Sequence, residues 1–139
     1  MKEKVAKVLL VDDSPQVLEQ QKAVLEKTGV DIITAHTGPE AIKKIHLEKP
    51  DIVFLDLMLP DMNGDEVCRF IKNDPRLKDI AVIIVTAREE SQIMQRCFRC
   101  GCDAYIKKPF TAQELLEKLK VILDEKNILL DWEKLVVNS

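Results

Sequence analysis

Five short apolar runs, each followed by an amphipathic stretch, dominate this 139-residue chain. The runs fall at 5–11, 31–35, 52–55, 80–85 and 104–107, and only Lys7 interrupts the first of them. Near-continuous apolar runs of this length suit strands buried on both faces. The stretches between them carry helix signals instead. Ser14-Pro15 pairs an N-cap with a proline at the first helical position, and Gly29 marks the end of a helix that should run to about Thr28. Thr37-Gly38-Pro39-Glu40 has capping-box spacing, with the Thr hydroxyl and the Glu carboxylate each placed to take a backbone donor, and Lys49-Pro50 closes that helix. Val67, Phe70 and Ile71 give a helix over 64–73 its apolar face, and Asp74-Pro75 ends it. A fourth helix should span about 89–100 and stop at Gly101. Thr111-Ala112-Gln113-Glu114 repeats the capping box ahead of a stripe of Leu115, Leu116, Leu119, Ile122 and Leu123.

Strict strand–helix alternation requires a parallel sheet covered on both faces and joined by right-handed crossovers. The expected fold is α/β, a doubly wound five-stranded sheet of the flavodoxin-like (βα)5 kind with order 2-1-3-4-5. Its switch point lies between the first and third strands. Residues 1–126 form the expected domain, leaving 127–139 as a C-terminal tail. Ile128, Trp132, Leu135 and Val136 share one helical face there, which suits either a helical extension packed on its own domain or a linker that contacts a partner.

The polar residues at the carboxyl ends of these strands carry the chemistry. The first strand ends at Asp12 and Asp13, the third at Asp56, the fourth at Thr86 and the fifth at Lys108. Taken alone, Asp56 reads most simply as an acid that caps the turn through Pro60, Asp61, Asn63 and Gly64. The switch point would bring three carboxylates together, and they would raise one another's pKa unless a cation joined them. Oxygen-only ligands of this kind suit Mg2+. One lysine and one hydroxyl beside them supply what a transferred phosphoryl group needs, and a carboxylate can itself accept phosphate.

Val11-Asp12-Asp13, Leu55-Asp56-Leu57-Met58-Leu59-Pro60 through Gly64, Val85-Thr86-Ala87 and Tyr105-Ile106-Lys107-Lys108-Pro109-Phe110 together resemble the receiver domain of two-component response regulators, over about residues 5–125. The resemblance implies that Asp56 is the phosphoacceptor and that Asp12, Asp13, Asp56 and the backbone carbonyl of Met58 hold Mg2+. It implies that Thr86 and Lys108 contact the phosphoryl group, that Lys108 rather than Lys107 is the functional lysine, and that the Lys108–Pro109 bond is cis. A switch is implied as well, in which Thr86 moves toward the phosphate and Tyr105 follows, reshaping the surface built by the fourth helix, fifth strand and fifth helix. The resemblance also places Met58 and Arg88 at the two variable positions that, in the family, tune phosphate lifetime. The implied role is that of a signalling domain which assists its own phosphoryl transfer and dephosphorylation, not of an enzyme. The implied partners are a histidine kinase or phosphotransfer protein and a downstream target or output domain, with a phosphorylation-dependent homodimer as a further option.

Other readings fit less well. An aspartate-nucleophile phosphatase of the haloacid dehalogenase type needs an acid two residues after its nucleophile, where this chain has Met58. A non-phosphorylated pseudo-receiver, acting as an interaction module, typically lacks an acid or the lysine, and all five are here. Cys97, Cys100 and Cys102 form a C-x-x-C-x-C cluster, but Cys68 lies well upstream, His36 and His46 are remote, and no second pair supplies a fourth zinc ligand. Cys97 falls at helical spacing with Ile93 and Met94, so the thiols read as core or surface groups. The net charge of −3 and scattered Lys and Arg show no nucleic-acid-binding pattern. No apolar stretch is long enough for a membrane span and the start lacks a signal-peptide core, so the expected location is the cytoplasm.

Overall fold

The computed structural model describes residues 5–88 and 91–128. Five strands alternate with five helices: β1 (Lys7–Val11), α1 (Pro15–Glu26), β2 (Asp31–Ala35), α2 (Gly38–Glu48), β3 (Ile52–Asp56), α3 (Gly64–Asn73), β4 (Ala81–Thr86), α4 (Ser91–Arg99), β5 (Ala104–Lys107) and α5 (Ala112–Glu125). All strand pairs are parallel, as the alternation predicts, and the order is β2-β1-β3-β4-β5, that of the expected flavodoxin-like class.

Alternate strand residues feed two separate cores because successive side chains leave a sheet on opposite faces. Leu9, Val11, Val53, Leu55, Val82 and Ile84 face α2, α3 and α4, where they meet Ala41, Ile45, Val67 and Ile71. Val8, Leu10, Ile52, Phe54, Ile83 and Val85 face the other way, onto Leu18 and Leu25 of α1 and Leu115 and Leu119 of α5. The central strands β3 and β4 are buried at every position, so neither has a polar side.

Helix ends follow the capping signals, with differences in detail. Thr37 accepts the Glu40 N–H at 3.1 Å, while the Glu40 carboxylate takes the N–H of His36, one residue earlier than a standard box. Thr111 accepts the Glu114 N–H at 3.1 Å, but the Glu114 carboxylate turns back onto the Thr111 hydroxyl instead of a backbone donor. Helix α1 ends at Glu26 rather than near Thr28, because the Thr28 hydroxyl donates to the Leu25 carbonyl at 2.6 Å and Gly29 then takes a φ of +82°. Strand β1 begins at Lys7, where its pairing with Asp31 starts, and leaves Val5 57% exposed. Strand β4 sits one residue later than its apolar run and takes in Thr86. The first part of the expected fourth helix, 89–90, and the tail beyond Ile128 lie outside the described residues. Ile128 itself is buried in the α1–α5 core.

Candidate functional site

Register delivers the strand-end residues to one place. Val11 pairs with Leu55, so Asp12 leaves β1 level with Asp56 at the end of β3. Asp56 pairs with Val85, which puts Thr86 one step further along β4, and Thr86 pairs with Lys107, so Lys108 comes one step beyond it. Three carboxylate oxygens, one each from Asp12, Asp13 and Asp56, lie within 4.8 Å of one another. Asp12 and Asp56 are buried and Asp13 is exposed, so the cluster has a closed floor and one open side.

Lys108 is the internal cation of this cluster. Its Nζ lies 2.7 Å from Asp12 Oδ2 and 3.6 Å from Asp56 Oδ2. Asp12 Oδ1 accepts the Ser14 N–H at 2.9 Å, which fixes the carboxylate at the start of α1. Asp56 Oδ1 accepts the Met58 N–H at 3.2 Å, and the Met58 side chain is exposed. The Lys108–Pro109 peptide bond is cis, as the resemblance implies. Lys107 is exposed and lines a different surface, a depression of about 410 Å³ beside Tyr105, Glu117 and Val121.

Electrostatics single out Asp56. Its pKa rises from 3.8 to about 6, and burial is the largest cause; Lys108 pulls it down, and the negative charge of Asp12 pushes it up by less than burial does. Mutual repulsion among the acids, the cause expected from the sequence, is therefore secondary to desolvation. The buried Thr86 hydroxyl is turned onto its own loop, accepting the Arg88 N–H at 3.1 Å. Tyr105 is 38% exposed on the edge strand β5. The described site thus brings Asp12, Asp13, Asp56 and Lys108 into contact, with Thr86 alongside and Tyr105 on the surface.

Two contributors escaped the sequence reading. Gly64 reads as turn chemistry, yet its role is close approach: a Cβ there would sit 2.3 Å from the Asp56 carbonyl oxygen and 2.9 Å from Leu57 Cα. The Gly64 N–H also donates to the Leu57 carbonyl at 2.8 Å. Only glycine lets α3 start this near the end of β3. Asp65 follows, buried and bound to Arg96 Nη2 of α4 at 2.7 Å, with Arg69 at 3.5 Å. An arginine thirty-one residues away cannot be paired with it from spacing alone.

The donor set fits a small hard cation. Three carboxylates converge with no nitrogen or sulfur ligand among them, the exposed Asp13 leaves room for retained waters, and the raised Asp56 pKa marks a site short of positive charge.

The family described as "Response regulator receiver domain" matches residues 8–120. The alkaline phosphatase synthesis transcriptional regulatory protein PhoP of Bacillus subtilis is 36% identical over 122 residues, covering 88% of this chain and 50% of PhoP. The chain thus spans about half the length of this curated relative. The CheY-like receiver domain protein of Methanospirillum hungatei superimposes with a TM-score of 0.83 at 32% identity, covering 89% of this chain and 98% of that one. The signal receiver domain of a histidine kinase from Syntrophus aciditrophicus gives 0.83 at 33% identity, covering 87% and 92%. With the fold, the strand-end acids and these likenesses in agreement, the chain belongs to the response regulator receiver domain family.

Proposed function

We propose that this receiver takes a phosphoryl group onto Asp56 from a phosphohistidine on a partner kinase or phosphotransfer protein. The observation that carries this reading is the convergence of the Asp12, Asp13 and Asp56 oxygens within 4.8 Å, with Lys108 Nζ against two of them. Asp56 Oδ2 attacks phosphorus, the phosphorus–nitrogen bond to the donor imidazole breaks, and the imidazole leaves. Mg2+, when held by Asp12, Asp13, Asp56 and the Met58 carbonyl, supplies charge neutralisation for the phosphoryl oxygens. Lys108 is the protein's own contribution of the same kind: it moves from carboxylate to phosphoryl oxygen with little displacement. Thr86 releases Arg88 and donates its hydroxyl to the phosphoryl group. Tyr105 then moves inward from its exposed position and alters the surface of α4, β5 and α5.

The receiver unit is residues 1–126. It acts in the cytoplasm as a signalling domain and presents its changed surface to a downstream protein or output domain. The similar domains named above include one from a transcriptional regulator and one from a histidine kinase, so the output is set by what the domain is attached to or meets. No helix among the described residues is long and apolar enough to cross a membrane.

Incubation with acetyl phosphate and Mg2+ followed by intact-mass analysis tests the assignment. One phosphoryl adduct on the wild type, absent from Asp56→Asn and from a sample treated with EDTA, is the expected result. An unmodified wild type, or an undiminished adduct on Asp56→Asn, would overturn it. Titration of Mg2+ into Asp13→Ala should show weakened binding, and unchanged affinity would remove Asp13 from the site.

A further inference from the structure

The cap that ends α5 turns the chain onto one particular face. Asn127 has a φ of 58°, its N–H donates to the Asp124 carbonyl at 3.1 Å, and the Ile128 N–H donates to the Leu123 carbonyl at 2.9 Å. These are the bonds of a Schellman cap, in which the residue after the left-handed one packs back against the last turn. Ile128 does so: it is buried in the α1–α5 core together with Leu123. Both helices start beside the carboxyl ends of their strands and run away from them, so Ile128 lies toward the Val24 end of α1 and Lys108 toward the other.

The seam between the two helices is open along that length. Val17, Gln20 and Val24 fall at i, i+3 and i+7 on α1 and, with Pro109, Phe110 and Ala112, line a cavity of about 540 Å³. Val24, Phe110 and Leu116 pack on the core yet stay only partly buried. Gln21 belongs to the same stripe of α1; it is buried, and its amide oxygen has no hydrogen-bond partner among the described residues. The seam therefore lacks both an apolar cover and a donor.

We propose that this seam is the docking surface for the chain's own C-terminal segment, residues 129–139, with Trp132 as its anchor. Ile128, Trp132, Leu135 and Val136 share one helical face, and Ile128 already commits that face to the α1–α5 core. The reach is sufficient. Val24 to Val17 spans about 10 Å along α1, whereas the eleven residues after Ile128 cover about 16 Å as a helix and about 36 Å extended. The segment runs back from the Val24 end toward Lys108, which lines the far end of the cavity. Trp132 supplies what the seam lacks: a large apolar ring and an indole N–H that only donates.

The test uses the full chain and does not depend on phosphorylation. Trp132 is the single tryptophan, so its emission reports this segment alone. Native emission should lie to the blue of the urea-unfolded chain, be shielded from acrylamide about threefold or more, and stay so on dilution. Val17→Lys and Val24→Lys put charge on the seam wall and should each move the emission to the red. Val121→Lys, on an α5 position that is 53% exposed and lines a different depression, should not. Native emission equal to that of the unfolded chain, or an equal red shift in Val121→Lys, would overturn the proposal. Shielding that disappears on dilution would do the same, because the occupant would then be a second copy. Should a lysine variant lose its helical circular dichroism, Trp132→Ser carries the test: amide exchange over 17–24 should rise, and unchanged exchange would overturn the assignment.

Discussion

Asp56 and Asp65 are two buried acids nine residues apart with opposite surroundings. Asp65 has two arginines within salt-bridge distance, one of them at 2.7 Å. Asp56 has one lysine at 3.6 Å that stands closer to Asp12, two more carboxylates beside it, and a pKa raised to about 6. A carboxylate whose charge is answered inside the fold has no use for an external cation. One left short of positive charge is costly to the apo protein and receptive to a metal and an electrophile. The same fold thus holds one acid that joins α3 to α4 and one acid left short of positive charge.

Gly64 stands between them and gives the largest expected effect. Its substitution by alanine places a Cβ against the Asp56 and Leu57 backbone, which cannot rotate away as a side chain could. Gly64→Ala should cost about 3 kcal/mol or more, since overpacking against main chain forces β3 and α3 apart. Urea unfolding with an unchanged m-value and a lowered midpoint would show it; a midpoint within error of the wild type would mean that the loop relaxes freely.

The two acids should then respond in opposite directions to the same change. Asp65→Asn removes the charge facing Arg96 and should destabilise by about 2 kcal/mol, because it leaves a part-buried guanidinium with a weaker partner. Asp56→Asn removes an insufficiently neutralised charge and should stabilise the metal-free protein at pH 7. The shift from 3.8 to about 6 corresponds to about 3 kcal/mol undiscounted, and solvent at the open side of the pocket reduces that to about 1–2 kcal/mol. Because the folded-state pKa lies above the unfolded one, the native state keeps its proton where the unfolded chain has lost it. The Asp56 contribution to wild-type stability therefore falls as pH rises from about 4 through about 6 and is level above that. Thermal melts of wild type and Asp56→Asn in EDTA should diverge over this range. Curves that stay parallel would show that Asp56 titrates normally.

The contrast between these acids was only half legible in the sequence. Runs such as Ile52, Val53, Phe54 and Leu55 announce buried strands, and their alternation with helices implies a parallel sheet; the order 2-1-3-4-5 comes with the flavodoxin-like class rather than from the alternation itself. Asp12, Asp13, Asp56, Thr86 and Lys108 could be found because each lies beside an element boundary, where sequence signals are strong. Asp65 and Arg96, like Cys68 and Cys100, meet across α3 and α4, and nothing local marks such a pair. Gly64 shows a third kind of miss: the residue was noticed, but turn propensity concealed a packing requirement that only the β3–α3 approach reveals. The raised pKa of Asp56 was anticipated with its causes in the wrong order, because charge can be counted along a chain and burial cannot.

Divalent metal should erase part of the difference between the acids, and this is the smallest effect expected. If Mg2+ binds the folded protein through deprotonated carboxylates, as proposed, then at ten times its dissociation constant it should stabilise the wild type by about 1.4 kcal/mol. At pH 5 the Asp56 carboxyl is mostly protonated, given its pKa near 6, and metal must displace that proton. The affinity should then be about tenfold weaker than at pH 7.5, and the stabilisation correspondingly small. Asp65→Asn should preserve this pH dependence, since its charge lies outside the acid cluster, whereas Asp56→Asn should flatten it. Melting temperatures with and without Mg2+ at the two pH values separate these outcomes. Equal Mg2+ stabilisation of Asp56→Asn and wild type at both pH values would place the metal elsewhere and leave the contrast between the two acids without a functional meaning.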